Sequence, residues 1–331
     1  MAVAARIDPK TYFTPDEWAP LSRRSRWMGL ALLAHAWIVI GLAMAMAVAS
    51  PWYLLPITIP LAIAIIGARQ LGLAIMMHDA AHGALHPDLK VNDWAGNHLT
   101  TGGLQGYRTY HLGHHKYAQQ AEDPDLVLSA PFPITRLSLR RKIVRDLTGQ
   151  TYYKQRWAGL VKRLRERKPR EPLLPILKEA VVARKRFLAG MIITVAVTAP
   201  FGFWWAWPVL WLLPQATWLP MITRLRNIAE HACVAKDEPD PLRHARTTHA
   251  NLLERAFLAP YWVNYHCEHH MFMHVPCYNL PAAHRLLKAK GVLPKMLTSP
   301  GYLDVLRLAS SKAPGPRPAL AGAGATRNFP P

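Results

Sequence analysis

Two long stretches of the chain carry no Lys, Arg, Asp or Glu: 42 residues from Trp27 to Ala68 and 37 from Phe187 to Thr223. A helix needs ~20 apolar residues to cross the hydrocarbon core, so each stretch is long enough for two crossings. Backbone polar groups in lipid must be satisfied within the segment, and each stretch therefore predicts a helical hairpin with a tight outer turn. Ser50-Pro51 supplies the first turn and Pro200-Phe201-Gly202 the second, giving spans near 28–49, 53–77, 187–203 and 205–223. The expected fold is an all-α membrane protein with four transmembrane helices in two hairpins. The polar segments 78–186 and 224–310 form a helical cap on one side. Residues 27–310 make one domain, preceded by a lead segment, 1–26, and followed by a tail, 311–331. That tail is rich in Pro, Gly and Ala with little to bury, which predicts disorder. Residues Asp93 to Tyr107 suit the membrane interface but are too short and polar to span it.

Composition agrees with this pattern, because 51% of the 331 residues are hydrophobic. A net charge of +20 would by itself suit nucleic acid, but the basic residues flank the spans. Arg23, Arg24 and Arg26 precede the first span, Arg184, Lys185 and Arg186 the third, and Arg224 and Arg226 follow the fourth. Such flanks read as cytoplasmic and attracted to anionic lipid, so no nucleic-acid partner is expected. The positive-inside rule then puts both termini and the cap in the cytoplasm. The first apolar run is too long for a cleavable signal and continues into a second span. Cys233, Cys267 and Cys277 give no disulfide framework and are expected to pack. The basic run LVKRLRERKPR from Leu160 reads as a solvated or lipid-facing helix.

Sixteen histidines change the picture, because many of them cluster at helical spacing. HDAAH places His78 and His82 one turn apart at the end of the second span, on one helix face, so that both imidazoles can reach one metal. HLGHH carries His111, His114 and His115, which fall within an arc of about 100°. HCEHH repeats that geometry 155 residues later with His266, His269 and His270. A fourth cluster, NIAEH, puts Asn227 and His231 one turn apart just below the fourth span. Eight histidines in three clusters, with His231, are too many for one tetrahedral zinc and suit two metals with open positions. Imidazole serves Fe, Zn, Cu and Ni, so spacing gives the donor atom and not the element.

The ordered set HDAAH, HLGHH, HCEHH resembles the three histidine boxes of the membrane fatty acid desaturase family. The segment YHCEHHMFMHVPCYNLPAAH from Tyr265 is similar to acyl-lipid and sphingolipid-type members, departing from their pattern at Met273 and His274. HKYAQQAEDPD after the second box is also family-like. The resemblance implies two iron ions that bind and reduce O₂ to attack an unactivated methylene of a lipid acyl chain. It implies His78, His82, His111, His114, His115, His231, His266, His269 and His270 as ligands, with Asn227 bridged through water. Asp79, Glu230 and Glu268 stand beside those ligands, where acceptors for imidazole N–H groups are needed. His35, His86, His98, His244, His249, His274 and His284 are expected to be structural.

Hydroxylases and carotenoid ketolases use similar boxes, because hydroxylation and desaturation share their first hydrogen abstraction. The third-box segment favours desaturation. A histidine-rich metal transporter is the remote alternative, disfavoured because transporters place ionisable residues inside spans and none is expected in these hairpins. No haem-binding HPGG or Gly-rich nucleotide fingerprint is present, so an external electron donor is expected: a ferredoxin, a rubredoxin or a cytochrome b5-like protein.

Overall fold

The computed structural model describes residues 6–129, 131–168 and 170–313. A short helix, α1 (Pro15–Ser22), begins at a capping box in which the Thr14 hydroxyl accepts from the Glu17 N–H and the Glu17 carboxylate accepts from the Thr14 N–H. The first apolar stretch then forms α2 (Met28–Ala49) and α3 (Leu55–Ala81), separated at Ser50 and Pro51 as the sequence predicts. On α2 the buried positions are Gly29, Leu33, Ala36, Ile40, Ala43 and Ala47, alternating steps of four and three that put one face against α3. At Gly29 an added Cβ would sit 2.1 Å from the Leu85 carbonyl oxygen, so only glycine fits there.

Burial divides α3 in two. Its upper half leaves Ile57 and Leu61 exposed, as α2 leaves Ile38 and Leu42. From Ile66 to Ala81 nearly every residue is buried. The helix continues past residue 77, where a bilayer crossing alone would end, because α4 (Leu89–His98), α5 (Leu104–Lys116) and later elements surround its lower end. That half contains Arg69, so the second span is not free of charge as expected. The guanidinium is buried, donates to the Ala256 carbonyl and lies 5.5 Å from the Tyr261 ring centroid. Those two contacts tie α3 to the segment that leads to the third box.

The chain continues with α6 (Leu126–Ser129), α7 (Arg136–Leu147), α8 (Gln150–Arg165) and α9 (Leu173–Ala183). The second apolar stretch departs from two simple spans. It forms α10 (Lys185–Thr198), turns at Gly202 with φ near 80°, and then runs through a π-helical segment (Trp207–Leu212), α11 (Leu213–Ala216) and α12 (Trp218–His231). Pro208, Pro214 and Pro220 each lack an N–H, which explains why this stretch is stitched from pieces. Among the described residues two helices, Met28–Ala49 and Trp52–Ala81, are long and apolar enough to cross a membrane, and Phe187–Phe201 is a shorter apolar helix.

The segment after α12 holds a two-residue parallel ladder, β1 (Thr247–Thr248) with β2 (Thr298–Ser299). It also holds α13 (Leu252–Phe257), α14 (His266–Met271), α15 (Leu280–Ala289) and α16 (Tyr302–Ala309). The three cysteines are free, and Cys267 and Cys277 are buried. Ser311 bridges to Thr135 and the Lys312 N–H donates to the Ile134 carbonyl. Those two residues open the tail expected to be disordered over 311–331 and are instead paired with residues 134 and 135, while 314–331 lie outside the described residues.

Candidate metal centre

Three helices deliver the boxes to one place. The first box ends α3, with His82 as its C-cap, the second lies in the last turns of α5, and the third is nearly the whole of α14. His231 ends α12, a helix that packs against α3. Their potential donor atoms fall into three groups, each within 4.8 Å: His78, His82, His111, His115 and His269; His114, His231 and His270; and Glu230, His231 and His266, the last two sharing His231. The boxes are therefore interleaved, with the second and third each divided between the two sides of the centre.

The spacing of ring nitrogens tests whether these residues fit metal ions. His82, His111, His115 and His269 form a chain in which successive Nε2 atoms lie 3.0, 3.0 and 3.0 Å apart. One ring nitrogen carries either one hydrogen or one lone pair, so the middle members of such a chain cannot hydrogen-bond both neighbours. A cation among the lone pairs satisfies all of them. Two nitrogens bound at right angles and ~2.1 Å from one ion lie about 3.0 Å apart, whereas tetrahedral angles open that spacing to about 3.4 Å. On the other side, His231 and His266 meet at 2.9 Å and His114 and His270 at 3.3 Å through their Nε2 atoms. Both ring nitrogens of His78, Nδ1 of His82 and Nδ1 of His266 are buried without a hydrogen-bond partner. Burial first, and neighbouring positive charge second, holds the imidazoles of His82, His111, His115, His231, His266, His269 and His270 well below the usual histidine range. Neutral rings with free lone pairs are what metal ligation requires.

Asn227 lines a small cavity of about 40 Å³ together with Arg226, Asp125 and the rings of His114, His231 and His266. A space of that size with these polar partners suits a water molecule. The three carboxylates beside the boxes are placed differently from one another. One oxygen of Asp79 is 3.6 Å from His78 Nδ1, and the other accepts from the Cys277 N–H at 2.9 Å. Glu230 accepts from Arg226 Nε and Nη2 at 2.7 and 2.6 Å and stands 3.5 Å from His266 Nε2. Glu268 lies behind α14, bound by the Thr247 hydroxyl and His284 Nδ1.

Two partners of the centre escape a reading of the boxes. His114 Nδ1 lies 2.8 Å from the buried Asp123 carboxylate, which also accepts from the backbone N–H groups of Gln119 and Asp125. The Gln119 side-chain amide reaches His231 Nδ1 at 3.3 Å. Both lie in HKYAQQAEDPD, the run whose family likeness was the available signal. The Tyr107 ring also stacks on His111, centroids 5.3 Å apart. The other histidines stand outside the cluster: His35 Nδ1 meets the Tyr261 hydroxyl at 3.0 Å, His86 Nδ1 accepts from the Asp88 N–H, and His274 Nδ1 approaches the His82 carbonyl.

Residues 52–298 match the family model described as fatty acid desaturase. The chain belongs to the fatty acid desaturase family. Among its relatives is dihydrorhizobitoxine desaturase of Bradyrhizobium elkanii, 26% identical over 293 residues, covering 84% of this chain and 78% of that one. Another is sn-1 oleoyl-lipid 12-desaturase of Arthrospira platensis, 23% identical over 283 residues, covering 78% of this chain and 74% of the relative. As a desaturase-family member the chain is an oxidoreductase of a membrane-associated family that acts on lipids with O₂. The matched region contains all nine clustered histidines.

Proposed function

We propose that this chain is an O₂-dependent acyl-lipid desaturase with two iron ions. One is held by His78, His82, His111, His115 and His269, the other by His114, His231, His266 and His270, with Asn227 reaching the second through water. The observation that carries this reading is the chain of Nε2 atoms at 3.0 Å spacing, which hydrogen bonds cannot satisfy and a cation of more than four ligands can. When bound, the irons would supply the power to remove one hydrogen from each of two adjacent methylenes, and those two hydrogens, with O₂, two donor electrons and two protons, would leave as two waters. The protein's own share is positional. Asp123 accepts a hydrogen bond from His114 Nδ1–H, which leaves that ring's Nε2 lone pair facing inward, and the Arg226–Glu230 pair props the His231 end of α12. The oleoyl-lipid specificity in one relative's name and the third-box segment support an acyl-lipid substrate.

The segments near 187–203 and 205–223 complete four spans in this reading, with both termini and the metal face in the cytoplasm. The exposed apolar residues Ile192, Ile193, Val197 and Phe201 support a lipid-facing surface there. The acyl chain enters laterally from the bilayer, so that it stays shielded from water on its way to the irons. Electrons come from a separate one-electron donor of the ferredoxin, rubredoxin or cytochrome b5 type.

Lipid profiling by mass spectrometry of a host with and without the gene, paired with metal analysis of the purified protein, tests the proposal. Acyl chains that lose two hydrogens, together with about two irons per chain, are expected. A gain of one oxygen would make the enzyme a hydroxylase, and a single tightly held zinc would overturn the diiron reading.

A further inference from the structure

The helical hairpin α8–α9 plays no part in the metal centre, yet its surface is unusual. Residues 150–184 hold ten basic side chains against three acidic ones, and Lys154, Lys162, Arg165, Lys168 and Lys178 are exposed. Among these cations run large apolar residues in helical register. On α8 they are Tyr153, Trp157, Val161 and Leu164, and on α9 Leu174, Leu177 and Val181, all exposed, with Leu174 at 77% and Tyr153 at 65%. Ile176 alone on α9 is buried, against the cavity of about 360 Å³ that separates the two helices and that Arg156, Arg163 and Arg184 line.

The hairpin is also latched to the start of the next apolar segment. Arg184, the residue between α9 and α10, donates to the Arg156 and Ala180 carbonyls and lies 4.8 Å over the Trp157 ring. Arg156 sits 5.6 Å over Phe187, the first residue of the apolar helix Phe187–Phe201. Both stripes are thus tied to the point where the chain turns toward the segment read above as the third span.

We propose that α8–α9 is an in-plane paddle that binds the anionic phospholipid surface of the cytoplasmic leaflet, with its aromatic and aliphatic stripes among the acyl chains and its cations on the phosphates. An acidic protein would pair with the cations but would need an apolar patch of its own to cover the stripes. A bilayer with anionic headgroups supplies both layers at once, and the hairpin's attachment at Phe187 holds it at the bilayer's depth. The paddle then anchors the cap from the side opposite α2 in sequence and keeps the cap's orientation dependent on headgroup charge. The inference rests on the reading that residues 187–203 lie in lipid.

The test uses the full chain, loaded with iron, in nanodiscs of phosphatidylcholine alone and of phosphatidylcholine mixed with phosphatidylglycerol. A bimane label is placed on Tyr153→Cys, Leu174→Cys or, as a report on the third span, Val197→Cys, and the parent with its native cysteines supplies the background. Iron content equal to the parent's shows that each variant is folded. In the mixed discs the labels at 153 and 174 should shift to the blue and lose acrylamide quenching several-fold. In phosphatidylcholine alone they should stay near the aqueous emission. The combined substitution Lys154→Gln, Lys162→Gln, Arg165→Gln and Lys168→Gln should abolish that difference. Labels at 153 and 174 that remain in water in both discs, with 197 shielded, overturn the paddle while leaving the span intact. Equal shielding in both discs overturns the recognition of anionic lipid. Exposure at all three positions removes the span reading and the paddle with it.

Discussion

His114 Nδ1 lies 2.8 Å from the Asp123 carboxylate, and both side chains are almost fully buried. The contact fixes which nitrogen of His114 faces His270 and His231, because a proton held at Nδ1 leaves the lone pair on Nε2. Asp123 is itself held by two backbone N–H groups, so its orientation does not depend on the metal.

Asp123→Asn keeps the shape but offers an amide that can present its N–H to the ring and so favour the wrong tautomer. Affinity for the second iron should fall ~10–100-fold, with the first retained. Titration of the metal-free protein with Fe²⁺ under anaerobic conditions measures this directly. Two unchanged binding steps would make Asp123 a loop brace only.

His231→Ala removes a proposed ligand that lies outside the three boxes. It should lose one iron and all turnover, as should His269→Ala on the other side of the centre. Asn227→Ala, which acts through a water, should bind iron ~10–100-fold more weakly and keep some turnover. His35→Ala is the control, since that ring contacts Tyr261 and no other histidine. Full iron content in His231→Ala alongside loss in His269→Ala would confine the site to the boxes.

Much of this centre is legible in the sequence, because one helix turn brings His78 to His82 and His111 to His114 and His115 whatever the tertiary fold. The pairing across helices is not. That His115 joins His269 while His114 joins His270 depends on how α5 crosses α14, which no local pattern encodes. Helical phase, by contrast, could have separated the carboxylates. At about 100° per residue, Glu268 points about 200° away from His266, on the far side of α14, where Thr247 and His284 hold it. The segment 205–223 is less legible, since its hydropathy is continuous while its three prolines break the helix into pieces. Arg69 lies in a span expected to carry no charge, and it is a tie between α3 and the segment leading to the third box.

Acid should undo the centre from within. The buried histidines have folded-state pKa values below their unfolded value of about 6.5, so the stability tied to their neutral form is complete above that pH. It is lost as pH falls from there toward the folded values, because the unfolded chain takes up protons that the folded one refuses. The metal-free protein in detergent should therefore show a falling thermal midpoint below about pH 6.5 and a flat one just above it. Bound iron should push the onset lower, since ligands must shed a metal before they protonate. A midpoint that rises on acidification would contradict the buried neutral state.

The last expectation concerns Arg108, which joins two boxes without touching a metal. Its Nε donates to the Ala81 carbonyl at 3.0 Å and its Nη2 to the Ala80 carbonyl at 2.9 Å, at the end of α3 that carries His78 and His82. The same guanidinium pairs with Asp93 on α4, and Asn92 adds a second donor to Ala80. Because Arg108 lies on α5 one turn before His111, it sets the distance between the first and second boxes. Arg108→Gln strands the Ala81 carbonyl in a largely buried place, a cost of about 1–3 kcal/mol, while Asn92 still donates to Ala80. Lysine can reach one carbonyl but cannot fork between two and an acid. Both variants should lower the thermal midpoint, with Arg108→Lys the milder, and both should weaken the five-histidine site while sparing the site of His114, His231, His266 and His270. Stepwise Fe²⁺ titration separates the two sites, and equal weakening of both would mean that Arg108 supports the cap as a whole instead of spacing the boxes.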